Sequence, residues 1–111
     1  MTDSKKHEVL VKKELTRILR VIRERYQPLK VILYGSTVTG QINEWSDIDL
    51  VVIKNTKRRF YDRIGEVVKL VKPRESLDVL VYTPEEYARL TKESWFVGEE
   101  VTKKGKVIYA V

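Results

Sequence analysis

Apolar residues recur along the first quarter of the chain at intervals of three and four. Val11, Leu15, Ile18, Ile22 and Tyr26 share one helical face, and lysines and arginines fill the other. The spacing predicts an amphipathic helix over about 3–26, closed by Pro28. The period then changes. Val31-Ile32-Leu33-Tyr34 is a short β-prone run that stops at Gly35-Ser36, and Ile48, Leu50, Val51, Val52 and Ile53 form a second such run. Helical spacing returns at Phe60, Ile64, Val67, Val68 and Val71, ending before Pro73, with Gly65 as an interior helix weakener.

A third strand is predicted over about 77–82. Thr83-Pro84-Glu85-Glu86 then reads as a helix start, with Thr83 as N-cap, Pro84 at N1 and Glu86 closing a capping box. That helix covers about 84–91, with Tyr87 and Leu90 facing in. A further helix over about 94–104 stops at Gly105, and Val107-Ile108-Tyr109 forms a last short strand. Helix, strand, turn, strand, helix, strand, helix, helix, strand is an α/β (α+β) pattern: a small mixed β-sheet flanked by helices.

Composition narrows the chemistry. A length of 111 residues predicts a single domain, 1–111, with the N-terminal helix leading into a core over about 29–111. The absence of cysteine excludes disulfides, thiolate catalysis and zinc–thiolate sites, and His7 as the one histidine argues against a His-based triad. With no long apolar stretch, signal-peptide pattern or lipidation motif, the expectation is a cytoplasmic protein without a membrane partner. The charged fraction of 34%, with one Met, is a composition found in heat-adapted proteins. A net charge of +6 fits ATP, RNA or an acidic partner, and also a merely well-solvated surface. The densest basic cluster along the chain is Lys54, Lys57, Arg58 and Arg59. Few aromatic residues interleave it, so nucleic acid is not the favoured partner.

The chemistry-bearing stretch is 35–49. Gly35-Ser36 ends one strand, and Asp47 and Asp49 stand at the entrance of the next. Positions i and i+2 of a strand point to one face, so both carboxylates project the same way. Two such carboxylates repel unless a cation lies between them, and oxygen ligands suit Mg²⁺, with Mn²⁺ as an alternative. A glycine that admits phosphate near the backbone, a neighbouring hydroxyl and a carboxylate pair together point to a nucleoside triphosphate site. Asp-x-Asp by itself is also an ordinary element start, and Gly-Ser an ordinary turn.

Gly35-Ser36, ten intervening residues and Asp47-Ile48-Asp49 resemble the signature of the nucleotidyltransferase superfamily that includes DNA polymerase β, and within it the minimal nucleotidyltransferases. Gly40 supplies the second glycine, Ser46 to Leu50 the Ser-Asp-Ile-Asp-Leu string, and Asp78 the third aspartate on a later strand. Thr39 stands where many relatives carry an arginine. The resemblance implies that Asp47, Asp49 and Asp78 ligate two Mg²⁺ ions, with Asp78 also helping to deprotonate the acceptor. It implies further that Gly35 and Ser36 hold the triphosphate of ATP, while Ser46 orients the first aspartate or is simply a turn residue.

Stand-alone members of that family resemble the antitoxin half of a pair whose other half is a helical HEPN-domain toxin. The implied reaction is transfer of AMP to a toxin tyrosine. Docking would use exposed groups around the aspartates, with Trp45 and the 54–59 loop as candidates. Two alternatives stand beside it: a non-catalytic module that neutralises its partner by contact, and an RNA-terminal transferase suggested by charge alone. Self-association is left open.

Overall fold

A computed structural model describes residues 3–43 and 46–111. Helix α1, Asp3–Val21, runs on into a wider π-type turn, Ile22–Tyr26. There the Gln27 amide reaches back five residues to the Ile22 carbonyl (3.0 Å), and Gln27 adopts a left-handed conformation with φ 54°. The uninterrupted helix expected over 3–26 therefore loosens in its last turn, with Ile22 and Tyr26 both buried.

The strands are β1 (Lys30–Tyr34), β2 (Ile48–Ile53), β3 (Leu77–Tyr82) and β4 (Lys106–Ala110), in the order β3-β2-β1-β4. β1 is antiparallel to both β2 and β4, and β2 is parallel to β3. A parallel pair needs a crossover, and helix α3 (Phe60–Val71) provides it. Two elements differ from expectation. A single helical turn, α2 (Ser36–Thr39), fills what reads as a plain turn, and the stretch before β4 is a π-helix, Phe96–Lys103, following α4 (Pro84–Glu93). The capping box of α4 forms as predicted: Thr83 Oγ1 accepts from the Glu86 amide (3.2 Å), and Glu86 Oε1 accepts from the Thr83 amide (2.8 Å).

Both sheet faces are covered, which is why β1 and β2 read as almost unbroken apolar runs. On one face Val31, Leu33, Ile48, Leu50 and Val52 pack with Val11 and Ile18 of α1, Ile22 of the π-turn, and Val67 and Val71 of α3. On the other, Ile32, Tyr34, Val51 and Ile53 pack with Val101, Tyr87 and Phe96. The α1 stripe is the predicted one, whereas Val68 of α3 is exposed. No described helix is long and apolar enough to cross a membrane.

Two buried charges brace these layers. Arg63 of α3 donates to the Val81 carbonyl (3.2 Å), the Arg58 carbonyl (2.8 Å) and Glu86 Oε1 (2.7 Å), tying α3, β3 and α4 together. Glu14 of α1 accepts from Arg17 Nε (2.7 Å) and from the amides of Arg74 and Glu75. Arg17 in turn donates to the carbonyls of Val71 (2.9 Å) and Lys72 (3.2 Å). The pair thus clasps the end of α3 and the segment that leads into β3.

The Arg17 hydrogen bond, assisted by the two amides and opposed by burial, holds the Glu14 carboxyl at about 2, against an ordinary 4.5. A depressed folded pKa gives stability that is present above the unfolded value and lost as pH falls through the folded one. Glu14→Gln is therefore expected to cost about 2 kcal/mol at pH 7. At pH 2 the two proteins should converge, which urea melts at both pH values will measure. A methyl group at Gly65 would meet open space, with no neighbouring atom within 4 Å. Gly65→Ala should therefore add about 1 kcal/mol in the same melts.

Candidate active site

The aspartates meet because of strand register. β2 and β3 pair with Asp49 directly beside Asp78, and β1 pairs with β2 so that Tyr34 lies opposite Asp49. Neighbours in register share a face, and here it is the face that carries Val51, Ile53, Leu80 and Tyr82 further along. Sequence alternation alone leaves the face of Asp78 undecided; the parallel register decides it. Asp47, two residues before Asp49, is exposed just outside β2, Asp49 is half-buried and Asp78 is exposed.

Electrostatics register the crowding. Burial first, then the charges of Asp78 and Asp47, push the Asp49 carboxyl from 3.8 up to about 6. Tyr34 is buried, and burial together with Asp78 and Asp49 pushes its hydroxyl well above the ordinary tyrosine range. Among the described residues, no three histidine, aspartate or glutamate groups close into a tight metal cage. The aspartates share one end of one face as separated, mutually repelling carboxylates. An all-oxygen donor set in which the charges of Asp47 and Asp78 bear on the half-buried Asp49 suits a hard divalent cation, so Asp47, Asp49 and Asp78 fit Mg²⁺ or Mn²⁺ in chemistry.

Gly35 closes the site from β1. Its φ of 79° and ψ of −154° lie where a side chain is strained, and a methyl group there would run into Asp49 Oδ2 and approach its Cγ to 3.3 Å. Only a bare α-carbon lets β1 turn into α2 against that carboxylate. Ser36 begins α2, whose turn is closed by the amides of Val38 (3.1 Å) and Thr39 (3.4 Å) bonding to the Gly35 carbonyl. Gly40 ends it at φ 77°. Thr39 is exposed and its hydroxyl donates to the Ser36 carbonyl (3.2 Å).

Ser46 serves the loop. Its hydroxyl accepts from the Asn43 amide (2.9 Å), and its carbonyl lies 3.1 Å from His7 Nε2. It sits immediately before Asp47, and His7 is a support that nothing in the local sequence signals, since α1 brings it across 39 residues. Tyr34 is likewise missed by motif reading, although a tyrosine ending the strand that faces Asp-x-Asp is the available clue. Trp45 lies outside the described residues. The 54–59 loop is corrected: it follows the far end of β2, roughly 20 Å of strand away from the aspartates. Within it Lys54 is structural, its Nζ donating to the Tyr26 carbonyl (2.6 Å) and lying 5.0 Å above the Tyr26 ring.

Comparison with known proteins agrees with this fold. The family model for the nucleotidyltransferase domain matches residues 15–111. No curated protein matches the chain. A crystal structure from Sulfolobus solfataricus, of a protein with a provisional nucleotidyltransferase assignment, superposes with a TM-score of 0.69 at 18% identity. The match covers 99% of this chain and 89% of that one, so the fold is shared along nearly its whole length.

The raised pKa of Asp49 carries a testable sign. Because the folded value exceeds the unfolded one, the ionised carboxylate weakens the metal-free fold increasingly as pH rises from about 4 through about 6. Solvent access trims the effect to about 1–2 kcal/mol. Asp49→Asn should therefore stabilise the protein by that amount at pH 8 in EDTA and leave it unchanged at pH 4. Denaturant melts that coincide for the two proteins at pH 8 would mean that the carboxylates do not repel.

Proposed function

The chain belongs to the nucleotidyltransferase domain family, and on that premise we propose that it transfers AMP from ATP to a hydroxyl acceptor, a tyrosine on a helical partner of the HEPN type. The observation that supports the reading is the in-register pair Asp49 and Asp78 beside the bare α-carbon of Gly35. A structural turn has no use for converging carboxylates that cost stability. A site for a triphosphate and its cations does.

The residues divide the work. Gly35 and the first turn of α2 leave room for phosphate close to the backbone, where amide donors favour negative charge. Asp47, Asp49 and Asp78 would hold Mg²⁺, or Mn²⁺ in its place; bound there, the ions supply neutralisation of the triphosphate and polarisation of the reacting oxygens. Asp78, exposed at the strand entrance, takes the proton of the acceptor hydroxyl. The acceptor oxygen bonds to the α-phosphorus, the bond from that phosphorus to the β-phosphate bridge breaks, and pyrophosphate leaves. Tyr34, opposite Asp49, borders the site and is backed by Phe96, edge-to-face at 5.4 Å. Thr39 offers a hydroxyl where an arginine would offer charge, so phosphate affinity rests on the backbone and the cations.

Two variants separate binding from chemistry. Gly35→Val should abolish measurable ATP binding by collision with Asp49. Asp78→Asn should retain ATP binding within a few-fold and slow transfer by at least about 100-fold. Equal loss of ATP affinity in both would contradict the assignment of roles. The acceptor is tested with α-labelled ATP, Mg²⁺ and host extract. Label should enter a protein, mapped by mass spectrometry as AMP on tyrosine, and be absent with Asp47→Asn. Nuclease-sensitive label would make RNA the acceptor, and partner inhibition without any label would make the protein a binding module.

A further inference from the structure

A broad concavity of the fold lies away from the aspartates. It is a groove of about 890 Å³ between α1 with its π-turn and the end of α3, and six cations line it: Arg17, Arg20, Arg25, Lys69, Lys72 and Arg74. Glu24 is the one carboxylate of the lining, and Glu14 pairs with Arg17. Six cations less these two carboxylates leave four positive charges, against a net +6 for the whole chain. Most of the excess charge is thus gathered in one groove. Along the sequence it is scattered over residues 17–74, which is why the 54–59 cluster looks denser there.

The groove is built. Arg17 fixes its floor by bonding Glu14 and the Val71 and Lys72 carbonyls, so the two helices are clamped at a set spacing. The other five cations form no ion pair with a described carboxylate. Like charges held together without partners cost folding energy unless a polyanion uses them.

We propose that this groove binds the phosphodiester backbone of a nucleic acid strand. Its lining discriminates among polyanions. Among the described residues its apolar lining is Val21, Leu70 and Val71, with no aromatic, and none of the large exposed apolar side chains described lies there. A protein interface needs a desolvated apolar or aromatic anchor, which the groove lacks. A phosphate backbone needs spaced cations, and Arg20, Arg25 and Arg74 present here the planar fork that matches phosphate oxygens, Arg17 being committed to Glu14 and the carbonyls. Without an aromatic platform the bases are not stacked, so binding is indifferent to sequence and steep in salt. This function is independent of the transfer chemistry at the aspartates.

The test is fluorescence anisotropy with labelled 20-nucleotide single strands of RNA and DNA of mixed sequence, from 50 to 300 mM NaCl. Strands of different sequence should bind within a few-fold of one another, with a log–log salt slope of about −3. The triple variant Arg25→Gln, Lys69→Gln, Lys72→Gln should bind at least tenfold more weakly, with the slope reduced in magnitude by about 2. A charge-matched control, Lys57→Gln, Lys92→Gln, Lys106→Gln, should bind and melt like the parent, and the groove triple should melt no lower than the parent. Equal weakening in the two triples would overturn the groove assignment. Polyglutamate that competes as well as RNA at equal charge would overturn the phosphate assignment in favour of an acidic polypeptide.

Discussion

Strands β2 and β3 run parallel with Asp49 beside Asp78, and almost every other feature of the molecule either enforces that register or follows from it. A slip of one residue would turn Asp78 to the face packed by α1 and α3 and Val79 to the site. The crossover through α3 makes the parallel pairing possible, and the Glu14–Arg17 clasp fixes where α3 ends and the segment into β3 begins. Arg63 and Glu86 do the same at the other end of β3. In each brace one buried charge meets a partly exposed partner, with further hydrogen bonds to backbone. Removing one partner of such a pair costs more than the pair contributes, so they act chiefly to specify geometry.

The site is built against local stability. Carboxylates are brought together at a strand end, the carboxyl of Asp49 is raised to about 6, and the backbone at Gly35 occupies a region open to glycine. Unfavourable arrangements of this kind persist only where the surrounding core over-determines them. Here the core does so from both sides of the sheet, with β1 and β2 packed between α1 and α3 on one face and the C-terminal helices on the other. Charge is also partitioned across the molecule: the aspartates at one sheet end, the cation-lined groove between α1 and α3.

Much of this was legible in the residues. The period of 3.6 in α1, the two apolar runs of β1 and β2, and the Thr83–Glu86 capping box are local signals, and each forms where the pattern puts it. The Gly-Ser and Asp-x-Asp spacing points to Gly35 and Asp49, which the fold brings into contact. What was hidden depends on pairing between distant segments. The face of Asp78 follows from β-register, the placement of Tyr34 from the antiparallel ladder, and the support from His7 from a contact spanning 39 residues. The π-turns are hidden as well, since the buried pairs Ile22/Tyr26 and Val97/Val101 keep the four-residue spacing of an ordinary helical turn. The 54–59 loop shows the opposite error: adjacency along the chain to Asp-x-Asp is not adjacency in space, because a whole strand intervenes.

We propose that Asp47, Asp49 and Asp78 form one divalent-cation site against Gly35. The most direct measurement is paramagnetic broadening of amide resonances by substoichiometric Mn²⁺ together with a non-hydrolysable ATP analogue. Broadening should appear first at Gly35, Ser36, Ile48, Asp49 and Asp78, and should be reversed by excess Mg²⁺. Broadening that begins instead at the acidic side chains of α4, or that spreads evenly over surface carboxylates while these five amides stay sharp, would contradict it.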